Sequence, residues 1–164
     1  IGNTTTSSAI AAVLLEKTVE DMTGRGAGLT SSGLQKKIDT IKNAIELHKP
    51  DKNDGIDVLA KIGGFDIGGI AGMFIGGAAC HVPIVIDGFI SVVAALCAAR
   101  ICPDAVGYMV SSHASYEIGY KLAMEELGLA YDFESNLEKP YTMQLSELNL
   151  RVLHGIRFLL IGFT

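Results

Sequence analysis

The chain has 164 residues, nearly half of them hydrophobic, with 19 glycines and no tryptophan. That length suffices for one domain with a real core, and the glycine and alanine content suits closely packed helices. A net charge of −5 argues against an extended nucleic-acid surface, which needs clustered Lys and Arg.

The opening "IGNTTTSSAIAAVLLEK" places Gly2 and Asn3 before three threonines and two serines. Thr4 to Ser8 offer helix caps, and a helix is expected from Ala9 to Lys17 with apolar Ile10, Val13 and Leu14. One side chain suffices for a cap, so five hydroxyls in a row admit a second reading. Glycine lets backbone approach an anion, and hydroxyls and free N–H groups at a helix start supply donors.

"DMTGRGAGL" follows as a glycine-rich loop in which Gly24, Gly26 and Gly28 alternate around Arg25. No strand precedes it and the spacing is not that of a dinucleotide fingerprint. A flexible loop and a second phosphate- or sugar-facing loop both remain open for it. Ser31 or Ser32 is expected to cap a helix over Leu34 to His48 with an apolar stripe of Leu34, Ile38, Ile41 and Ile45. Lys36 and Lys37 fit a solvated helix face, although Lys37 lies at the edge of the stripe, within inward reach.

After a polar turn at Pro50 to Gly55, Ile56 to Ile62 reads as a short helix stopped by Gly63 and Gly64. Ile67 to His81 reads as a helix of small residues, and its glycines imply close packing. "VPIVIDG" reads as a buried parallel strand, Phe89 to Ile101 as a helix ended by Pro103, and "VGYMVSS" as a second strand. A helix from Tyr116 to Leu127 stops at Gly128. Helices alternating with strands predict an α/β fold: three layers, with a mostly parallel sheet flanked by helices in the Rossmann-like manner.

In such sheets ligands collect at the carboxyl ends of strands, where Asp87-Gly88 and Ser111 to Ser115 fall. Asp66 is a further carboxylate beside an apolar segment. Cys80, Cys97 and Cys102 read as buried free thiols of a reducing compartment, hence the cytoplasm. His81 and His113 lack companions at ligand spacing, so no metal is expected. The apolar region from Ile67 to Ala99 is broken by charge, proline and glycine, and no basic segment precedes the first apolar run. Neither a membrane span nor a signal peptide is expected.

The ordered set "IGNTTTSSAIAAVL", "TGRGAGL", a capped helix with Lys37, "DVLAKIGGFDIGGIAG", "VPIVIDGFI" and "SSHAS" resembles the nicotinate-nucleotide–dimethylbenzimidazole phosphoribosyltransferase family over about Ile1 to Leu129. The family acts in assembling the lower ligand of cobalamin. The resemblance implies transfer of the phosphoribosyl group of nicotinate mononucleotide to 5,6-dimethylbenzimidazole, giving α-ribazole phosphate and nicotinate, without a cofactor. It implies nicotinate mononucleotide and a benzimidazole base as partners, no nucleic acid or membrane, and a homodimer. By the family's motifs Gly2, Asn3, Thr4 and Thr5 correspond to the phosphate site. Gly24, Arg25, Gly26 and Gly28 match the loop near phosphate and ribose, and Lys37 a lysine beside the same group.

The pattern departs from the family at both ends. Family members carry a segment before "IGNTTTSSA", so the chain is expected to be a piece of a longer protein with reduced activity and an incomplete fold. The family's catalytic glutamate lies in an L-G-E-G-T-G loop, whereas here "YDFESNL" runs into "EKPYTMQL". Glu138 is the residue the resemblance offers as general base. Residues 1–133 are expected to form the partial phosphoribosyltransferase-like domain and 134–164 an atypical tail. A non-catalytic nucleotide-phosphate-binding protein on the same scaffold is the alternative.

Overall fold

The computed structural model describes residues 4–26, 28–112 and 118–129. Six helices and two strands follow one another among them: α1 (Thr4–Leu14), α2 (Ser31–His48), α3 (Gly55–Ile62), α4 (Phe65–Ala79), β1 (Ile84–Ile86), α5 (Phe89–Ile101), β2 (Met109–Ser111) and α6 (Ile118–Glu126). A 3₁₀ turn, Pro103–Tyr108, joins α5 to β2. The strands pair in parallel with Ile84 opposite Met109 and Ile86 opposite Ser111. Parallel strands joined through a helix are the α/β arrangement expected, and helices dominate the described part.

α5 is the hub. It packs against α1, α3, α4 and α6, and Val92 through Ala98 are buried. Removing each valine or leucine here from water contributes about 1.5–3 kcal/mol. Alanines at three of those positions, Ala94, Ala95 and Ala98, let the surrounding helices approach. Gly55, the first residue of α3, has no room for a side chain, because a Cβ there would stand 2.9 Å from the Cys97 carbonyl oxygen.

The element starts differ from expectation in instructive ways. α1 begins by Thr4, not Ala9, and ends at Leu14, not Lys17. The hydroxyl run is therefore the first turns of the helix and not its cap. Glu16 in the left-handed region (φ 53°) and a Lys17 N–H bond to the Ala12 carbonyl close its end. α2 begins at Ser31 because Thr30 is the cap, its hydroxyl accepting from the Gly33 N–H at 3.2 Å. α4 starts at Phe65, two residues before the expected Ile67. Val106 to Tyr108, expected in the second strand, lie in the 3₁₀ turn that Pro103 opens.

Of the cysteines expected to be buried, only Cys97 is. Cys80 is exposed and Cys102 half-buried, and all three are free thiols. Burial pushes the Cys97 thiol up to about 12. No helix among the described residues is long and apolar enough to cross a membrane.

Candidate functional site

The start of α1 and the glycine loop meet through one side chain. Lys37 sits in the second turn of α2 with only 9% of its surface exposed. The edge-of-stripe position carries it inward beside Ile38, and its Nζ donates to Thr4 Oγ1 at 2.6 Å. The Gly24 carbonyl oxygen lies 3.5 Å from the same ammonium. An ammonium withdrawn from water is costly unless oxygens surround it, so the contact fixes three segments at one point. Gly26 adds to the junction. It adopts φ 52°, and a Cβ there would be 3.4 Å from Thr4 Oγ1. Gly28 also has positive φ, at 103°. Both positions favour glycine because the left-handed backbone disfavours other residues.

Arg25 is directed differently. Its guanidinium donates to the Leu29 carbonyl at 2.9 Å and to Ser31 Oγ at 3.1 Å, tying the loop to the start of α2. Thr4, Thr5 and Thr6 are half-buried, whereas Ser7 and Ser8 are fully buried with no hydrogen-bond partner for either hydroxyl oxygen. The two serines therefore face the interior, and the hydroxyls at hand near the helix start are the threonines. Lys36 is exposed. Gly2 and Asn3, Glu138, His113 to Ser115 and the tail lie outside the described residues.

A second polar group stands where the strands end. Asp87 follows β1 directly and is half-buried. Its N–H donates to Ser91 Oγ at 3.0 Å, and that hydroxyl donates to the Gly88 carbonyl at 2.8 Å, which fixes the turn into α5. Beneath it, Tyr120 on α6 is buried with its hydroxyl 3.3 Å from Ser111 Oγ at the end of β2. Burial pushes the phenol up; the Ser111 bond lowers it and the Asp87 charge raises it further. Residues nine apart in sequence carry no local signal of such pairing. Asp66 lies in the first turn of α4, where a carboxylate suits the helix dipole.

The two groups share a junction. At Gly119, the residue before Tyr120, a Cβ would stand 2.6 Å from Phe89 Cε2 and 3.5 Å from Met22 Sδ. Phe89 is two residues past Asp87, and Met22 two residues before Gly24. The first turns of α5 and α6 thus close against the segment leading into the glycine loop. His81 is engaged elsewhere, its Nδ1 2.6 Å from the Tyr108 hydroxyl. Among the described residues no group of three or more His, Cys, Asp or Glu is arranged to hold a metal.

Comparison with known proteins follows the same residues. A family model described as phosphoribosyltransferase matches residues 1–138. The nicotinate-nucleotide–dimethylbenzimidazole phosphoribosyltransferase of Acetivibrio thermocellus is 56% identical over 128 residues, 78% of this chain and 36% of the relative. That of Desulfotalea psychrophila is also 56% identical over 128 residues, with the same coverage of each. Among solved structures, CobT from Thermus thermophilus matches with a TM-score of 0.73 and 34% identity, over 79% of this chain and 39% of that one. The chain spans little more than a third of the length of these relatives.

Proposed function

Because this chain belongs to the phosphoribosyltransferase family, we propose that it transfers the phosphoribosyl group of nicotinate mononucleotide to 5,6-dimethylbenzimidazole, giving α-ribazole phosphate and nicotinate. The glycosidic C–N bond breaks, and its electron pair leaves with the nicotinate nitrogen. The benzimidazole nitrogen forms the new bond to the same carbon, and a proton leaves the base. In this reading Gly2, Asn3, Thr4 and Thr5 receive the phosphate at the start of α1, with Gly24, Gly26 and Gly28 lining the phosphate and ribose. Arg25 shapes that loop through its bonds to Leu29 and Ser31. Lys37 supplies the countercharge, and Glu138 is the proton acceptor.

The observation that supports the reading is the Lys37 bridge to Thr4 and Gly24, which draws helix start and glycine loop to one cation. Backbone N–H groups at a helix start together with a partly desolvated ammonium suit an anionic group, and a phosphate is the anion that the proposed substrate carries. We propose further that the protein acts in the cytoplasm as a homodimer. Three free thiols support the first statement. The face of α4 that leaves Phe65 and Met73 exposed supports the second. Residues 1–133 are taken as the phosphoribosyltransferase-like domain and 134–164 as a tail outside it.

The test is incubation with nicotinate mononucleotide and 5,6-dimethylbenzimidazole, with free nicotinate followed by chromatography. Release that requires the second base supports transfer. Binding without release supports the non-catalytic nucleotide-phosphate-binding alternative.

A further inference from the structure

We infer that the first turn of α6, through Gly119 and Tyr120, is a positioning element: it sets the spacing between the glycine loop and the carboxyl end of the sheet. The inference rests on the reading above and concerns two residues that act through their neighbours and not on the ligand.

Three segments meet at Gly119, which is buried. A Cβ there would stand 2.6 Å from Phe89 Cε2, 3.0 Å from Phe89 Cζ and 3.5 Å from Met22 Sδ. Neither neighbour is loosely held. Phe89 is buried and opens α5 directly after the turn that Ser91 ties through the Asp87 N–H and the Gly88 carbonyl. Met22 is buried and leads into the glycine loop. Beside it Thr23 Oγ1 donates to the Val19 carbonyl at 2.6 Å, and the next carbonyl, that of Gly24, lies 3.5 Å from Lys37 Nζ. One residue along α6, the buried Tyr120 hydroxyl lies 3.3 Å from Ser111 Oγ, the last residue of β2. A single helical turn thus touches the approach to the loop, the exit from β1 and the end of β2.

Ligands of parallel sheets lie outside the carboxyl ends of the strands. A ligand that also reaches the start of α1 needs those two places at a fixed separation. Carbon atoms rest about 3.5–4.0 Å apart, so a methyl on Gly119 would drive the Phe89 ring, or α6 itself, back by about 1 Å. Thr4 and Lys37 belong to α1 and α2 and hold each other directly, so that movement leaves their contact in place. A ligand bound only at that point is spared, whereas one that spans to the strand ends is not. Overpacking makes the competent arrangement a minority, and apparent affinity falls with its population.

Calorimetry on the full chain tests this, with nicotinate mononucleotide and inorganic phosphate as separate probes and a thermal melt of each variant. Gly119→Ala is expected to weaken nicotinate mononucleotide by roughly tenfold and inorganic phosphate much less. Tyr120→Phe removes the hydroxyl without adding volume and should weaken the nucleotide selectively, by up to about tenfold. Val58→Ala, in the core of α3, costs stability away from this turn and should bind both probes as the parent does. A folded Gly119→Ala protein that binds the nucleotide as the parent does overturns the inference, as does an equal loss for both probes. If that variant does not fold, the same two results with Tyr120→Phe overturn it. A selective loss of the nucleotide in Val58→Ala also overturns it, because destabilisation alone would then suffice. These results leave the phosphate site standing. A parent chain that binds neither probe overturns that site and this inference with it.

Discussion

Replacing Lys37 by methionine removes the cation while keeping most of the buried stem. The residue is nine-tenths buried, and its ammonium donates to Thr4 Oγ1 at 2.6 Å and lies 3.5 Å from the Gly24 carbonyl. A hydrogen bond to a charged group contributes about 1.5–3 kcal/mol. At about 1.4 kcal/mol per tenfold, loss of such a bond to a phosphate weakens nicotinate mononucleotide binding by roughly 10- to 150-fold. Folding should suffer less. The Thr4 bond is lost, but so is the cost of holding an ammonium away from water, and the two oppose each other. The assay is a calorimetric titration of parent and variant beside a thermal melt of each. Equal affinity in two folded proteins would refute the reasoning, because a buried cation at the binding point cannot be removed without consequence. A large fall in melting temperature with affinity intact would make Lys37 a structural tie alone.

Further outcomes follow from the same geometry. Gly26→Ala should lower stability by about 1–2 kcal/mol, because φ 52° is left-handed, and chemical denaturation measures it. In a thiol-labelling time course at pH 8, exposed Cys80 should react quickly, and Cys97, buried with its thiol pushed up to about 12, should react only on unfolding. Bonds from Lys52 to Glu16 and from Lys42 to Glu20 hold those carboxyls below their ordinary value of 4.5. The Asp51 N–H first, and Lys61 second, do the same for Asp57 below 3.8. Lowered values mean stability that is present above the ordinary carboxylate range and lost as the pH falls through the folded-state values. Melting temperature should therefore drop between pH 5 and 3 by an amount that shrinks in about 1 M salt, where exposed pairs are screened. A flat profile there would contradict it.

Some of this was legible in the sequence because the signals were local. Phe89–Ile101 and its stop need only an apolar run with Gly88 before it and Pro103 after it. The inward reach of Lys37 follows from its place beside Ile38 in a 3.6-residue stripe. Other parts were not local. Ser7 and Ser8 read as cap-type residues, yet packing of α1 against α5 and α2 buries them within the helix. Val106 to Tyr108 read as strand, because short apolar runs do not separate strand from helix; the turn that begins at Pro103 decides it. Loop side chains have no period, so nothing in "TGRGAGL" foretold that Arg25 would turn to Leu29 and Ser31. The Tyr120–Ser111 pair and the Met22–Gly119–Phe89 contact exist only once α6 has closed on the strand end.

The measurement that reaches the central claim most directly is amide chemical-shift mapping on the isotope-labelled chain during a nicotinate mononucleotide titration. The account predicts that the largest shifts fall together on Thr4 to Thr6, on Gly24 to Gly28 and on Lys37, and that Lys37→Met abolishes them as a set. Shifts confined to other parts of the chain, or a response at one of the two stretches without the other, would contradict it.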